Sequence, residues 1–341
     1  MTRGNLSAGL PTAALTKMMP EVQKGAFADA TKAAIARSWR LFLSFLQLHY
    51  PILPPADSYC LRLFMTFLSN QPRINSPDTI EQYISHVKTA HRLLGYPVDA
   101  FQQPEIRYFK RAIGKHLAYT RREAAPMTTE LLHQIRSLLD LDDRRDATTW
   151  ACLLISFFAI TRIDNLLPTT KNPSSSSHHL TRGRAFLGRS NLILAWKWAK
   201  TITQGERIHR VPLSALPNSL LCPVAAYSRM VNLIPALPQD PAFLVPDAGG
   251  NSLSPLTYSQ HNTRLKHLVE ACEVNPSNFS THSLRRGGAT TAIMAGVPLA
   301  TVKAIGDWAK ESTCVSRYIN PSLTDRAGCT ALMAGREPPL P

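Results

Sequence analysis

Basic side chains cluster with two glycines in the stretch THSLRRGGATTAIMAG, residues 281–296. His282 and Arg285 are three residues apart and share one face of a predicted helix, and Arg286 lies near that face. A guanidinium binds an oxyanion through charge-assisted, paired N–H donors. These residue types at the start of a helix indicate a phosphate-binding site.

The same stretch predicts how that helix begins and packs. We expect Thr281 or Ser283 to cap it, which would leave backbone N–H groups directed at an oxyanion. Glycine is costly inside a helix, so Gly287 and Gly288 suggest that an anion or another backbone comes very close to this one.

Three other segments carry side chains that fit phosphate chemistry, each with an ordinary structural alternative. Arg162 follows the apolar run LLISFFAI in a predicted helix and needs an anion or a distant carboxylate as its partner. Lys200 ends the predicted strand NLILAWKWAKT beside a turn, where a lysine also serves to protect a sheet edge. Tyr318 lies ten residues after Trp308, and a tyrosine there also fits a core or surface role.

Helical patterns dominate the elements that must position these residues. From residue 29 to residue 119 four helices are predicted, with Asp57 and Ser76 as caps, Pro77 in a first turn and Gly95 as a stop. After residue 126 the pattern is again helical. It is interrupted by the strand-like segments RAFL, NLILAWKWAKT and ERIHRVPL, the last two joined by a predicted hairpin turn, TQGE. The sequence therefore predicts a mainly α protein with one small three-stranded antiparallel sheet.

Taken in chain order, the candidate residues resemble the active-site series of the tyrosine recombinases, the phage integrase family. That series is Arg162, Lys200, His282, Arg285, Trp308 and Tyr318. The segment TIEQYISHVKTAHRLLG is similar to that family's N-terminal four-helix, SAM-like core-binding domain, and GVPLATVKAIGDW is similar to its catalytic domain. The resemblance covers about residues 25–335.

The resemblance implies a domain plan and a mechanism. We expect an arm at 1–24, a core-binding domain at 25–119, a linker at 120–126, a catalytic domain at 127–335 and a tail at 336–341. Tyr318 would attack a DNA phosphate to form a 3′-phosphotyrosyl bond, with Arg162 and Arg285 binding the non-bridging oxygens. Lys200 would protonate the leaving group, His282 would assist, and Trp308 would pack against the site. No metal, ATP or other cofactor is expected.

Composition is consistent with a polyanionic partner. The 341 residues carry a formal charge of +15, with 16 Lys/Arg against 7 Asp/Glu in the first 122 residues and 22 against 16 in the rest. Both parts can therefore contact double-stranded DNA. The resemblance implies a homotetramer on two DNA sites, with a monomer off DNA. The DNA-binding candidates are Lys88, Arg92, Arg107, Lys110, Arg111, Lys115 and Arg286.

Cysteine usage and hydropathy bear on the compartment. The six cysteines form no C-x-x-C pair, no signal-peptide core is present, and the run ACLLISFFAI is too short to span a bilayer. We expect an intracellular, DNA-associated protein that does not bind a membrane. In a eukaryotic host it would lie in the nucleus, and otherwise in the cytoplasm.

Two rival functions stay open. One is a catalytically decayed DNA-binding protein, since Asn165 stands where the family often has an acid and the Trp308–Tyr318 step is slightly long. The other is a type IB topoisomerase-like enzyme that nicks and closes DNA. The Ser/His-rich loop at 174–179 is an insertion with no assigned role.

Overall fold

The computed structural model describes residues 27–50, 54–118, 124–172, 178–199, 201–202, 206–247, 249–250, 252–309 and 311–312. The chain forms two compact units that divide between residues 121 and 122. Among the described residues no helix is both long and apolar enough to cross a membrane.

The N-terminal unit contains the four predicted helices. They are α1 (Asp29–His49), α2 (Ser58–Ser69), α3 (Pro77–Leu93) and α4 (Pro104–His116), with a 3-10 turn at Asp99–Gln102. The Asp57 carboxylate accepts the Cys60 N–H at 2.7 Å, which confirms the predicted cap of α2. Helix α1 packs against α3 and α2 against α4, around a core that includes Phe42, Phe45 and Phe64.

The C-terminal unit is built around one buried helix. Its first helices are α5 (Thr129–Ser137) and α6 (Arg144–Phe158), and every residue of α6 from Ala147 to Phe157 is buried. A helix that is buried all round lies at the centre of its domain. Helix α6 packs against α7 (Pro223–Leu233) and α9 (Thr281–Met294), and α8 (Tyr258–Ala271) and α10 (Leu299–Ile305) complete the described helices.

The predicted three-stranded antiparallel sheet is confirmed. It consists of β1 (Ala185–Leu187), β2 (Asn191–Trp196) and β3 (His209–Ser214), with Trp196 opposite His209. Leu192, Leu194 and Trp196 point into the core. The prediction that strand β2 reaches residue 201 is wrong, because regular pairing ends at Trp196 and continues only as a bridge between Ala199 and Ile202.

A second sheet was not predicted. Strands β4 (Leu244–Pro246) and β5 (Leu253–Pro255) pair in a two-stranded antiparallel ribbon. Each strand has three residues and ends in a proline, so neither carries a recognisable alternating pattern.

Helix α8 carries a buried histidine, His261. His261 is 1% exposed, and neither ring nitrogen has a hydrogen-bond partner among the described residues. Burial lowers the pKa of His261 from its ordinary value to about 4. The unfolded chain therefore takes up this proton at a higher pH than the folded chain.

We predict that replacing His261 by leucine flattens the acid limb of the stability curve. In the parent chain this group lowers the free energy of unfolding as pH falls from about 6.5 to about 4, by up to ~3 kcal/mol. Urea unfolding of His261→Leu at pH 7 and pH 4.5, followed by tryptophan fluorescence, measures the difference. His267→Gln, an exposed histidine of the same helix, should keep the full pH dependence. Equal pH dependence in parent and His261→Leu would contradict the prediction.

Candidate functional site

Helix α9 begins one residue earlier than predicted. Ser280 is the N-cap: its Oγ accepts the His282 N–H at 3.3 Å, and Ser283 Oγ accepts the Ser280 N–H at 3.0 Å. The prediction of Thr281 or Ser283 as the cap is therefore wrong, although Ser283 completes the capping box. The cap takes the His282 N–H, and the predicted contact of the other first N–H groups with an oxyanion stays a prediction.

The glycine pair of α9 lies against protein backbone. A Cβ at Gly287 would lie 1.9 Å from the carbonyl oxygen of Met127, and one at Gly288 would lie 2.0 Å from that of Phe157. No side chain fits at such distances. This explains why the helix contains two glycines although glycine is costly there. The predicted close approach of another backbone is confirmed, and the close neighbour is this chain itself.

We predict that Gly287→Ala destabilises the C-terminal unit by about 1–3 kcal/mol, because the added methyl must displace the backbone at Met127. Gly114→Ala in helix α4 is the matched control. The nearest atom to its new Cβ would be a Pro77 carbon at 3.8 Å, an ordinary contact, so the gain in helix propensity should dominate. Denaturant midpoints of the two variants test the pair; an equally stable Gly287→Ala would contradict the packing.

Arg162 follows helix α6 and has an extended backbone conformation. The helix ends at Phe158, and a Schellman closure follows, with N–H groups of Ile160 and Thr161 bonded to Phe157 and Ser156 carbonyls. Arg162 has φ −73° and ψ 139° and precedes a 3-10 turn at Ile163–Asn165. The predicted helical position of Arg162 is therefore wrong. Ile160, two residues after the end of the helix, lies in the left-handed region at φ 48°, where a β-branched residue is strained.

Asn165 joins this turn to the sheet. Its backbone carbonyl accepts the Trp196 indole N–H at 2.9 Å and the Leu180 N–H at 2.8 Å. Its side-chain amide donates to Thr161 Oγ1 at 3.2 Å. Asn165, which stands where an acid was expected from the resemblance, thus has a structural role here.

Arg285 is buried, with 1% of its surface exposed. Nη1 donates to the Ile160 carbonyl and Nη2 to the Gly306 carbonyl, both at 2.7 Å. Its Cζ lies 3.8 Å from the centre of the Trp308 ring. The strained residue at the end of α6 and the loop after α10 therefore fix the plane of this guanidinium.

Arg162, His282 and Arg285 line one pocket of about 260 Å³. The pocket is also lined by Thr161, Ile163, Asp164, Thr169, Tyr258 and Thr281. Its two arginines outnumber its single carboxylate. Arg162 Nη1 is buried and has no hydrogen-bond partner among the described residues. A buried guanidinium N–H is costly unless an acceptor reaches it, so the pocket is suited to a small oxyanion.

The loop after α10 covers Arg285, one of the two arginines of this pocket. Trp308 is half-buried and packs on Gly306, where any Cβ would lie 2.0 Å from the indole ring. Between them, Asp307 adopts φ 55° and pairs with Arg207 Nη2 at 2.6 Å and with the Thr201 hydroxyl. Burial favours a raised Asp307 pKa, but the hydrogen bonds from Thr201 and Arg207, with the charges of His209 and Arg207, lower it below its usual value.

Four of the six predicted catalytic residues are thus brought together: Arg162, His282 and Arg285 at the pocket, and Trp308 on Arg285. Lys200 and Tyr318 lie outside the described residues. In the part of the chain that the structure describes, no group of three His, Cys, Asp or Glu side chains is arranged to hold a metal ion.

A family model for the phage integrase family matches residues 131–324, more than half of the 341-residue chain. The chain belongs to the phage integrase family. No curated protein is significantly similar to it.

Solved structures agree with this family at the level of the fold. The Tn1549 transposon integrase in complex with transposon right end DNA shares 14% identity, with 94% of this chain and 98% of that chain covered and a TM-score of 0.59. The XerH site-specific recombinase in a post-cleavage complex with a palindromic difH substrate shares 13% identity, with coverage of 89% and 79% and a TM-score of 0.57. This integrase-family chain therefore has the tyrosine recombinase fold.

The predicted DNA-binding residues of the N-terminal unit lie on α3 and α4. Arg92, Arg107, Arg111 and Lys115 are exposed, while Lys88 and Lys110 are half-buried. Lys110 Nζ lies 3.0 Å from Glu81 Oε1. A shallow pocket of about 300 Å³ between the two helices is lined by Arg107, Lys110 and Arg111 together with Asp78 and Glu81.

Arg286 is the seventh candidate and lies in the C-terminal unit. It is half-buried, its Nη1 donates to the Ala124 carbonyl at 3.1 Å, and its Nε is buried. The backbone around it is also fixed: Ala125 N–H donates to the Asn278 carbonyl and Met127 N–H to that of Ser283. Arg286 thus holds the start of the C-terminal unit on α9, and its contact with DNA stays a prediction.

Sequence patterns missed several residues of the site. Tyr258 opens α8, and Thr281 Oγ1 donates to its Oη at 3.1 Å. Thr169 and Asp164 complete the rim, and Asp307 fixes the loop next to Trp308. Of these residues, only Asp307 had a sequence signal, since it is the acid directly before Trp308 in IGDW. Tyr258 reaches the pocket from a helix some hundred residues after Arg162, and no spacing rule predicts such a contact.

Proposed function

We propose that this chain is a site-specific DNA recombinase that cuts and rejoins duplex DNA through a 3′-phosphotyrosyl intermediate. We further propose that it recombines the DNA of a mobile element. The observation that carries the proposal is the pocket of the C-terminal unit. Two arginines and a histidine meet there, and Arg162 Nη1 is buried without a partner among the described residues.

The pocket's charges suit phosphodiester transfer. As the phosphorus passes through a five-coordinate state, its non-bridging oxygens gain negative charge. Arg162 and Arg285 stabilise that charge with donors that are positioned before the reaction. The carbonyls of Ile160 and Gly306 and the Trp308 ring keep the Arg285 guanidinium from turning. His282 supports the phosphate and assists proton transfer.

Tyr318 and Lys200 supply the two ends of the reaction. A phenol has an ordinary pKa of about 10 and becomes a nucleophile when nearby cations favour its ionised form. Tyr318 takes this role in the proposal. Its oxygen forms the new bond to phosphorus while the bond to the 5′-oxygen breaks. Lys200 donates a proton to that oxygen, because an alkoxide is a poor leaving group. The tyrosyl ester keeps the phosphodiester energy, so rejoining needs no ATP.

Double-stranded DNA is the proposed partner. The structures of the Tn1549 transposon integrase and the XerH recombinase, which share this fold, are complexes with DNA. The exposed basic residues of α3 and α4 would contact phosphates of the same duplex that enters the catalytic pocket. On this proposal residues 25–119 are the core-binding domain, residues 127–335 are the catalytic domain, and four protomers join two DNA sites.

A nicked duplex tests the proposal. The substrate carries DNA from beside the coding region, particularly any inverted repeats, with a nick placed so that the short fragment released by cleavage diffuses away. The proposal expects a covalent protein–DNA adduct on a denaturing gel, formed in EDTA and without ATP. Adducts that appear only with added metal would contradict the mechanism.

The nicked duplex and a plasmid relaxation assay separate the two rivals. A decayed recombinase would bind the duplex but form no adduct with any flanking sequence. A topoisomerase-like enzyme would relax any supercoiled plasmid as a monomer, whereas a recombinase requires particular sites. The buried, partnerless Nη1 of Arg162 favours the active enzyme, since a protein without the chemistry has no reason to keep that cost.

A further inference from the structure

Asp307 joins the loop after α10 to the connection between strands β2 and β3. Its carboxylate accepts a hydrogen bond from the Thr201 hydroxyl and pairs with Arg207 Nη2 at 2.6 Å. The Asp307 side chain is 11% exposed and that of Arg207 is 45% exposed, so water screens the pair mainly on the arginine side. A carboxylate that is shielded in this way depends on its partners, because an unpaired charge at such a place is costly.

Strand β3 supports the same segment two residues earlier in the chain. The Nε2 atom of His209, the first residue of β3, lies 3.0 Å from the Ile305 carbonyl oxygen. A carbonyl only accepts, so this nitrogen carries the proton. The His209 ring stacks on Trp196 of β2, with 5.6 Å between the ring centres. The sheet therefore holds Ile305, the last residue of α10, while Asp307 holds the loop that follows.

Gly306 and Trp308, the neighbours of Asp307, both contact Arg285. The Gly306 carbonyl accepts from Nη2 at 2.7 Å, and the guanidinium carbon lies 3.8 Å from the centre of the Trp308 ring. Asp307 itself has φ 55°, a backbone conformation that is costly for residues other than glycine and persists where surrounding contacts require it. The two partners of its carboxylate supply such contacts.

We propose that Asp307 is a positioning residue for strand cleavage, because it holds the loop whose carbonyl and indole ring fix the plane of the Arg285 guanidinium. This inference rests on the proposed function, in which Arg285 binds a non-bridging oxygen of the phosphate that is cleaved. A donor must be in place before charge develops on that oxygen, and a small misplacement slows a reaction strongly. Loss of the Asp307 contacts should therefore reduce the cleavage rate. DNA affinity, which is spread over many phosphate contacts, should stay the same.

Two substitutions separate the side-chain contacts of Asp307 from its backbone conformation. Asp307→Gly relieves the positive φ but removes the contacts, and it should slow single-turnover cleavage of the nicked duplex about 10–100-fold. Asp307→Asn keeps an acceptor oxygen and tolerates the left-handed region, so its rate should stay within about fivefold of the parent rate. Glu273→Gly is the matched control. Glu273 is exposed and has φ 58°, so glycine relieves similar strain there and should leave the rate unchanged.

A double-mutant cycle tests the route through Arg285. In an Arg285→Ala background, Asp307→Gly should change the cleavage rate by less than about twofold, because the group that it positions is already absent. Arg207→Met should reproduce the defect of Asp307→Gly without adding to it, whereas Arg207→Lys keeps a charged donor and should retain most of the rate. Thermal unfolding of each variant identifies any that fail to fold. If Arg285→Ala is among them, the Arg207 variants and the DNA affinities carry the test.

The results also distinguish this inference from the function on which it rests. Suppose that Asp307→Gly cleaves as fast as the parent, or faster, as the loss of a nearby negative charge alone would predict. The role of Asp307 is then overturned while the recombinase function stands. An equal defect in the parent and Arg285→Ala backgrounds, or a parallel loss of DNA affinity, would overturn it too. A parent chain that forms no adduct with DNA would reject the proposed function and this inference with it.

Discussion

Tyr318→Phe should abolish the covalent protein–DNA adduct while leaving DNA affinity unchanged. Phenylalanine keeps the aromatic ring and removes only the oxygen that bonds to phosphorus, so no alternative bond can form. The measurement is a denaturing gel with the nicked duplex, alongside a mobility-shift titration at a stated salt concentration.

The structure provides a demanding control for this prediction. Tyr258 lines the pocket with Arg162, His282 and Arg285, and it is therefore the described tyrosine that could replace Tyr318 as the nucleophile. Tyr258→Phe should lose only the hydrogen bond with Thr281 and should still form the adduct. If the adduct persists in Tyr318→Phe and disappears in Tyr258→Phe, the nucleophile is assigned to the wrong tyrosine.

Local sequence signals were sufficient for most of the helices. The Asp57 cap and Pro77 in a first turn act within a few residues, and the four helices of the N-terminal unit follow such signals closely. The strand-like segment NLILAWKWAKT likewise predicted β2, in which Leu192, Leu194 and Trp196 are buried.

The end of helix α6 shows where local signals fail. The apolar run continues through Ile160, and neither glycine nor proline marks a stop. The chain turns there because Ile160 packs on Gly288, its carbonyl accepts from Arg285, and the Schellman bonds close the helix. The contacts of Ile160 with Gly288 and Arg285 join residues over a hundred positions apart in the sequence. Tertiary packing therefore overrides the helical pattern here.

The active-site series was predicted as a list, and its geometry was not. Residue types and order suggested Arg162, His282, Arg285 and Trp308, but the partners that hold them are mostly backbone groups. The carbonyls of Ile160 and Gly306 have no sequence signature, and the importance of Asp307 depends on Arg207, a hundred residues earlier.

The two arginines of the pocket should respond differently to removal. Arg162→Ala is expected to slow cleavage by about 10²–10³-fold, the usual loss when one positioned donor to a developing oxyanion is removed. It should change the free energy of unfolding by less than about 1 kcal/mol, because Arg162 Nη1 binds no other described group and its deletion leaves no acceptor unpaired. Single-turnover cleavage and urea unfolding of the same preparation measure both quantities.

Arg285→Ala should lower both the rate and the stability. Its removal leaves the Ile160 and Gly306 carbonyls without their donor, and each unpaired buried acceptor costs about 1–3 kcal/mol. Arg285→Lys cannot restore the pair, since one ammonium on a flexible stem does not reproduce a planar fork. If Arg162→Ala destabilises the fold as much as Arg285→Ala does, then Arg162 has a structural partner and the pocket is not kept for an anion. A catalytic defect without a stability defect, in Arg162→Ala alone, is the result that a phosphate site requires.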